Sequence, residues 1–156
     1  ATPLFERMDL AVALNLTAVM RGTELALDEF ARSGAGGVVV NIASMAGVVP
    51  LPMSPVYAAT KAGVVNFTRS LKFTTPKNVR VSALCPAFTA TPMVTEGMDG
   101  VPHFRKLVEA MGRVMTPEEV ADAGMRLVEE DHGGDVMIIT PHTGAVVKVT
   151  EPTAKL

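Results

Sequence analysis

The sequence predicts an α/β layered fold built on parallel strands. Three short, largely apolar runs, residues 38–43, 79–84 and 135–140, alternate with longer stretches of helical periodicity. Glycines or prolines punctuate most of the junctions. The order α-β-α-β-α-β suits parallel strands, which need crossover segments to return the chain to the same end of the sheet. At 156 residues without an internal repeat, the chain fits one domain.

Residues 4–32 read as helix, because Leu10, Leu14, Ala18, Leu25 and Phe30 recur at near-helical spacing before Ser33-Gly34 stops it. Asn15 falls inside that pattern although asparagine is a poor helix former, and alone it reads as a solvated polar position. Gly34-Ala-Gly36-Gly37 then opens the run Val38-Val-Val-Asn-Ile-Ala43, which is β-branched and suited to burial on both faces. A dinucleotide-binding glycine turn follows a strand and opens a helix. This cluster does the reverse and reads as a helix stop.

After Ser44-Met-Ala-Gly47 and the proline-rich Pro50-Leu-Pro52-Met-Ser54-Pro55, a second helix is expected from about residue 55 to 73. Its small residues, Ala58, Ala59, Ala62 and Gly63, would let another helix or a ligand approach closely. The second strand runs into Cys85-Pro86. Residues 86–103 read as irregular, with a short helix near 102–111, and a loop of that length is usually functional, often a lid. Thr116, Pro117 and Glu119 form a capping-box pattern for a helix reaching about Glu130, stopped by Gly133-Gly134. The third strand follows, and the tail has room for one more extended segment.

Apolar residues make up 48% of the chain and the net charge is −2, so nothing suggests acidic substrates or a nucleic-acid surface, and no nucleic-acid partner is expected. No uninterrupted apolar run approaches about 18 residues, so no membrane partner is expected. The single cysteine, Cys85, fits a reducing, cytoplasmic compartment and reads as strand-end packing, not a nucleophile. The ending Ala154-Lys155-Leu156 is close to a peroxisomal address, the alternative location. A start at Ala1 fits methionine removal or a fragment. The Asn-x-Thr sequons at Asn15 and Asn66 lie in helical patterns and are discounted as glycan acceptors. His103, His132 and His142 lack metal-ligand spacing, so no metal is expected. Met93, Met98, Met111 and Met115 suit either an apolar pocket or adaptable packing.

The chemistry centres on Tyr57-Ala-Ala-Thr-Lys61, with Ser44 thirteen residues upstream. Residues four apart share a helix face, so phenol and ammonium can meet. A free tyrosine, with pKa about 10, is a poor base at neutral pH, and a nearby ammonium favours the phenolate.

Asn15, Ser44, Tyr57 and Lys61 resemble, in order and spacing, the Asn-Ser-Tyr-Lys tetrad of the short-chain dehydrogenases/reductases. Val40-Asn-Ile-Ala-Ser44-Met-Ala-Gly47 is similar to that family's fifth-strand ending, and Pro86-Ala-Phe-Thr-Ala-Thr91 to the segment after its sixth. Residues 134–140 look like the 15-hydroxyprostaglandin dehydrogenase-like members. The resemblance covers residues 1–150 as a partial domain, leaving 151–156 as a tail. It implies a Rossmann-like three-layer fold with a parallel sheet, incomplete because only the carboxyl-terminal half is present. It implies NAD or NADP as cofactor, a small-molecule alcohol or ketone as substrate, for which the lid suggests an apolar character, and a homo-oligomer.

By resemblance Tyr57 is the general acid/base, Lys61 tunes it and holds the nicotinamide ribose, and Ser44 orients the substrate oxygen. Asn15 would hold a water linking Lys61 to solvent, while Pro86, Phe88 and Thr91 would fix the carboxamide. The family's first half, including its pyrophosphate-binding turn, has no counterpart here, and Ala87 stands where the family usually has glycine. Two functions follow as expectations: the catalytic half of an alcohol dehydrogenase/carbonyl reductase, or a truncated noncatalytic relative acting through subunit association. Either way the strand at 38–43 should present an unpaired apolar edge.

Overall fold

The computed structural model describes residue 5 and residues 7–148, apart from residues 101 and 111, with the side chains of Gly100, Pro102 and His103 also outside the description. The tail at 151–156, including Ala154-Lys155-Leu156, lies outside the described residues, as do Met111 and the His103 side chain. Helix α1 (Met8–Ser33) is followed by β1 (Gly37–Ile42), α2 (Pro55–Leu71) and β2 (Val79–Pro86). The pair α3 (Pro92–Gly100) and α4 (Pro102–Ala110) precedes α5 (Pro117–Glu129), β3 (Val136–Thr140) and β4 (Gly144–Lys148).

The sheet order is β1-β2-β3-β4. β1 pairs with β2 and β2 with β3 in parallel, while β4 turns back antiparallel to β3. The three expected strands are therefore parallel, and the room left after the third is filled by a hairpin strand. α1 and α2 cover one face and α5 crosses the other. Strand alternation distributes the core between these faces. Ala83 and Cys85 join Ala43, Val64, Val136 and Ile138 toward α2, whereas Leu84 joins Leu127, Met137 and Ile139 toward α5.

Two segments depart from the sequence expectation. Residues 92–100 form a helix where irregular structure was expected, making the segment after β2 a pair of helices. Its two glycines and Thr95 are poor helix formers, but Val94 is buried and Thr91 O accepts the amides of Val94 and Thr95 at the helix start. Second, α1 contains a π turn at Ala13–Thr17, where the Ala18 amide reaches back five residues to Ala13 O. Length and composition alone would let α1 cross a membrane. It instead lies along the sheet, with Thr23 buried and Val19 packed on the core.

The glycine cluster before β1 acts as a stop. Gly34 takes φ 70°, the left-handed cap conformation, and its amide bonds Phe30 O at 3.0 Å. A Cβ at Gly36 or Gly37 would strike Asn78 or the Phe30 ring. At the other end of β1, a Cβ on Gly47 would lie 2.6 Å from Lys61 O and 2.7 Å from Lys61 C. The turn after Ser44 thus meets α2 backbone to backbone. The expected capping box is present: Thr116 Oγ1 accepts from the Glu119 amide at 3.3 Å, and the Glu119 carboxylate accepts from the Thr116 amide at 2.8 Å. Arg113 binds the same carboxylate through two nitrogens at 2.6 and 2.7 Å.

Gly47→Ala should destabilise the fold by about 1–3 kcal/mol through overpacking, read from chemical denaturation; unchanged stability would refute the close approach. The hydrogen bond from Arg113, helped by that from the Thr116 amide, lowers the Glu119 carboxyl from 4.5 to about 2. A depressed carboxyl stabilises the native state above its unfolded pKa and loses that contribution as pH falls through its folded one. The stability difference between the parent and Glu119→Gln should therefore shrink as pH falls from about 4.5 toward 2 in a urea titration. A difference constant over that window would contradict it.

Candidate active site

Ser44 and Lys61 lie at the carboxyl end of β1, and Pro86, Phe88 and Thr91 follow in sequence from that of β2, where ligands bind in open α/β sheets. Ala43 leaves β1 with its amide bonded to Leu84 O at 2.7 Å. Ser44 is extended, with φ −171°, and heads the 3-10 turn Met45–Gly47. Its Oγ accepts the Ala46 amide at 3.1 Å. Because a hydroxyl has one donor and two acceptor positions, that contact leaves its O–H available to donate outward.

The proline-rich loop then delivers Pro55 to the first position of α2, where its missing N–H costs nothing. Tyr57 and Lys61 follow on one face of that helix, and both are half-buried. Lys61 Nζ lies 5.8 Å from the Tyr57 ring centroid and donates to Ile42 O at 2.9 Å. Burial lowers the lysine pKa from its ordinary 10.5, opposed by the nearby Cys85 sulfur. Cys85 itself is fully buried, and that burial pushes its thiol up to about 11, against the hydrogen bond from the Ser44 backbone and the Lys61 charge. The thiol is therefore neutral at neutral pH, which fits packing and not nucleophilic chemistry.

Asn15 sits half-buried within the π turn of α1, and this turn packs against α2. A π turn takes in an extra residue and disturbs the regular carbonyl ladder, a feature frequent at functional sites. Nothing in the sequence beyond a mid-helix asparagine marked it. Pro86 ends β2, and the chain continues along the sheet through an Ala87 amide bond to Ile139 O at 3.0 Å. The Phe88 carbonyl is occupied by the Met115 amide at 2.9 Å, and its ring meets Phe104 of α4 edge to face at 5.3 Å. Thr91 is half-buried at the entry to α3, its amide bonded to Thr89 O at 2.8 Å.

Sequence reasoning missed the Ile42 carbonyl as the Lys61 acceptor, because a backbone acceptor leaves no mark on residue type. It also missed Gly47 as the contact that sets the Ser44 turn against Lys61. The methionine group divides: Met115 is fully buried, Met98 half-buried and Met93 80% exposed. His132 contacts Glu130 and Asp135 away from these residues, and no metal-holding group occurs among the described residues.

Residues 4–100 match the family model for short chain dehydrogenase. Among curated proteins, 15-hydroxyprostaglandin dehydrogenase [NAD(+)] of Rattus norvegicus is 33% identical over 145 residues, covering 84% of this chain and 54% of the relative. Short-chain dehydrogenase fogB of Aspergillus ruber is 38% identical over 119 residues, covering 72% of this chain and 44% of the relative. The chain thus spans about half the length of the curated relatives it matches. Levodione reductase superposes with a TM-score of 0.75 at 30% identity, covering 85% of this chain and 56% of that structure. A 4-hydroxyisoleucine dehydrogenase complexed with NADH superposes at 0.74 and 20% identity, covering 83% and 56%, a likeness of fold. With a family model matching more than half its length and curated relatives at one-third identity over most of it, this chain belongs to the short-chain dehydrogenase family.

Proposed function

We propose that this chain is the catalytic half of an NAD(P)-dependent oxidoreductase interconverting a secondary alcohol and a ketone. The observation that carries the reading is the placement of Lys61 between the Ile42 carbonyl at the end of β1 and the Tyr57 ring. Lys61 has three N–H donors; Ile42 O takes one, leaving two for a ribose hydroxyl and the tyrosine side. Tyr57 exchanges a proton with the substrate oxygen, and Ser44 Oγ donates to that oxygen as its charge develops. Asn15, through the π turn packed on α2, connects this pair to solvent.

The described residues fit the nicotinamide end of a dinucleotide and not its pyrophosphate. Tyr57 and Lys61 would hold the ribose, with Pro86, Phe88 and Thr91 beside the carboxamide. The Phe88 carbonyl already accepts the Met115 amide, and its second lone pair stays open to such a contact. The glycine cluster offers no cradle, since Gly34 caps α1 while Gly36 and Gly37 press on Asn78 and Phe30. When bound, NAD or NADP supplies the hydride acceptor or donor. The relatives' names support this cofactor class and a small-molecule substrate.

The second reading, association without catalysis, is favoured by the outer faces of α1 and α2. A groove of about 570 Å³ runs between them, lined by Met20, Leu27, Phe67 and Leu71 with Arg21 and Asp28 at its rim. Leu25 beside it is 69% exposed. A second subunit seated there would cover apolar surface in either reading.

The 156-residue chain alone should bind NADH weakly or not at all in titration calorimetry and show no dehydrogenase turnover. Turnover that vanishes in Tyr57→Phe would overturn that expectation. In a protein that also carries the cofactor-binding half, Tyr57→Phe should lower turnover by about 10²-fold or more while sparing most cofactor affinity; unchanged turnover would remove the tyrosine's assigned role. Intact mass of the endogenous protein separates the two readings: a mass well above 16.4 kDa supports the dehydrogenase, and one near it supports subunit association.

A further inference from the structure

We infer that Asn41, through Thr23 and Thr68, is a positioning residue that fixes Lys61 against the end of β1. Asn41 lies on β1 immediately before Ile42, whose carbonyl accepts the Lys61 ammonium at 2.9 Å. Its side chain leaves the strand toward the helical layer. The Asn41 Oδ1 accepts from Thr23 Oγ1 of α1 at 3.0 Å, and its Nδ2 donates to Thr68 Oγ1 of α2 at 3.0 Å. The three side chains are closed to solvent, with Asn41 5%, Thr23 1% and Thr68 0% exposed. One amide therefore ties one strand to both helices.

The placement of Thr68 makes this tie matter for the site. It lies seven residues beyond Lys61, two turns along the same stripe of α2, with Val64 fully buried between them. The stripe is pinned to adjacent residues of β1 at two points: Thr68 to the Asn41 side chain and Lys61 to the Ile42 carbonyl. Rolling α2 about its axis would stretch both hydrogen bonds together. Sliding it along β1 would drive Gly47 into the Lys61 backbone. Thr23 completes the tie from α1, the helix that carries Asn15. Its one hydroxyl proton is divided between Asn41 Oδ1 and Val19 O, the latter 2.9 Å away, which anchors the hydroxyl on α1.

Asn41 touches neither a reacting atom nor Tyr57; it acts through the seating of α2. The meaning of that seating for catalysis rests on the oxidoreductase reading, whereas the seating itself can be measured without turnover.

The test uses the 156-residue chain, isotope-labelled, with NMR scalar coupling between Lys61 Nζ and the Ile42 carbonyl carbon as the readout of their hydrogen bond. Thr68→Val removes the hydroxyl at nearly constant shape, and Thr68→Ser keeps it. The coupling should fall by half or more in Thr68→Val and in Asn41→Leu, and persist in Thr68→Ser. Amide exchange protection of β2 and β3 should stay within twofold of the parent in Thr68→Val, separating loss of seating from general loosening. Retention of the coupling in Thr68→Val, or its equal loss in Thr68→Ser, would overturn the inference; should Asn41→Leu fail to fold, the threonine pair still decides.

A second arm uses the protein carrying the cofactor-binding half. Thr68→Val should lower kcat about tenfold with the KM for the alcohol within twofold. Loss of coupling with turnover intact would uphold the seating and remove Lys61 from the proposed mechanism. Retained coupling would sink the seating whatever the turnover.

Discussion

Helix α2 rests on the parallel pair β1–β2 along one stripe, and the arrangement of the candidate site follows from that seating. Val64 is fully buried at its middle, a burial that stabilises by about 1.5–3 kcal/mol. Lys61 reaches the end of β1 on one side, and Thr68 reaches Asn41 on the other. The glycine at position 47 lets the turn carrying Ser44 close onto the backbone of the same helix. Apolar burial alone would allow the helix to slide or roll by small amounts. Directional hydrogen bonds to adjacent strand residues remove that freedom, and unmade buried partners cost more than the bonds contribute when made.

The electrostatics of the site depend equally on what does not neutralise Lys61. Among the described residues, its hydrogen-bond partner is a carbonyl and it forms no ion pair. Cys85, the nearest titratable sulfur, keeps its proton at neutral pH because its strand-end position is fully buried. The ammonium is thus left without a neutralising partner, 5.8 Å from the Tyr57 ring centroid. A carboxylate in place of that thiol would pair with the lysine. Packing and chemistry are therefore linked here through the choice of a small neutral residue.

β1 forms an edge of the described sheet, with Ile42 51% exposed at its carboxyl end. An edge of this kind offers unpaired backbone groups to any approaching strand. Covering it is a condition for the oxidoreductase reading, because a dinucleotide in this family's fold spans both halves of the sheet. On the opposite side β4 folds back antiparallel on β3, so the outer parallel strand there is paired and the short hairpin strand forms that edge.

Much of this was legible in the residues. Residues 38–43 and 79–84 declared themselves as strands because β-branched runs bounded by breakers suit few other structures. Thr116-Pro117-Glu118-Glu119 declared a helix start because capping is local chemistry. Tyr57 and Lys61 declared a shared face because helical spacing alone puts them there. The helix at residues 92–100 was hidden, since Thr95 and two glycines argue against helix and the buried Val94 and its neighbouring contacts outweigh them. The direction of β4 was hidden as well, because a strand's own residues do not state which neighbour it will meet. By itself the sequence determined the elements and the residue types available for proton transfer. Only the tertiary structure decided that Lys61 binds a backbone carbonyl and that Asn41 joins two helices, because such partners are set by long-range packing and carry no local signature.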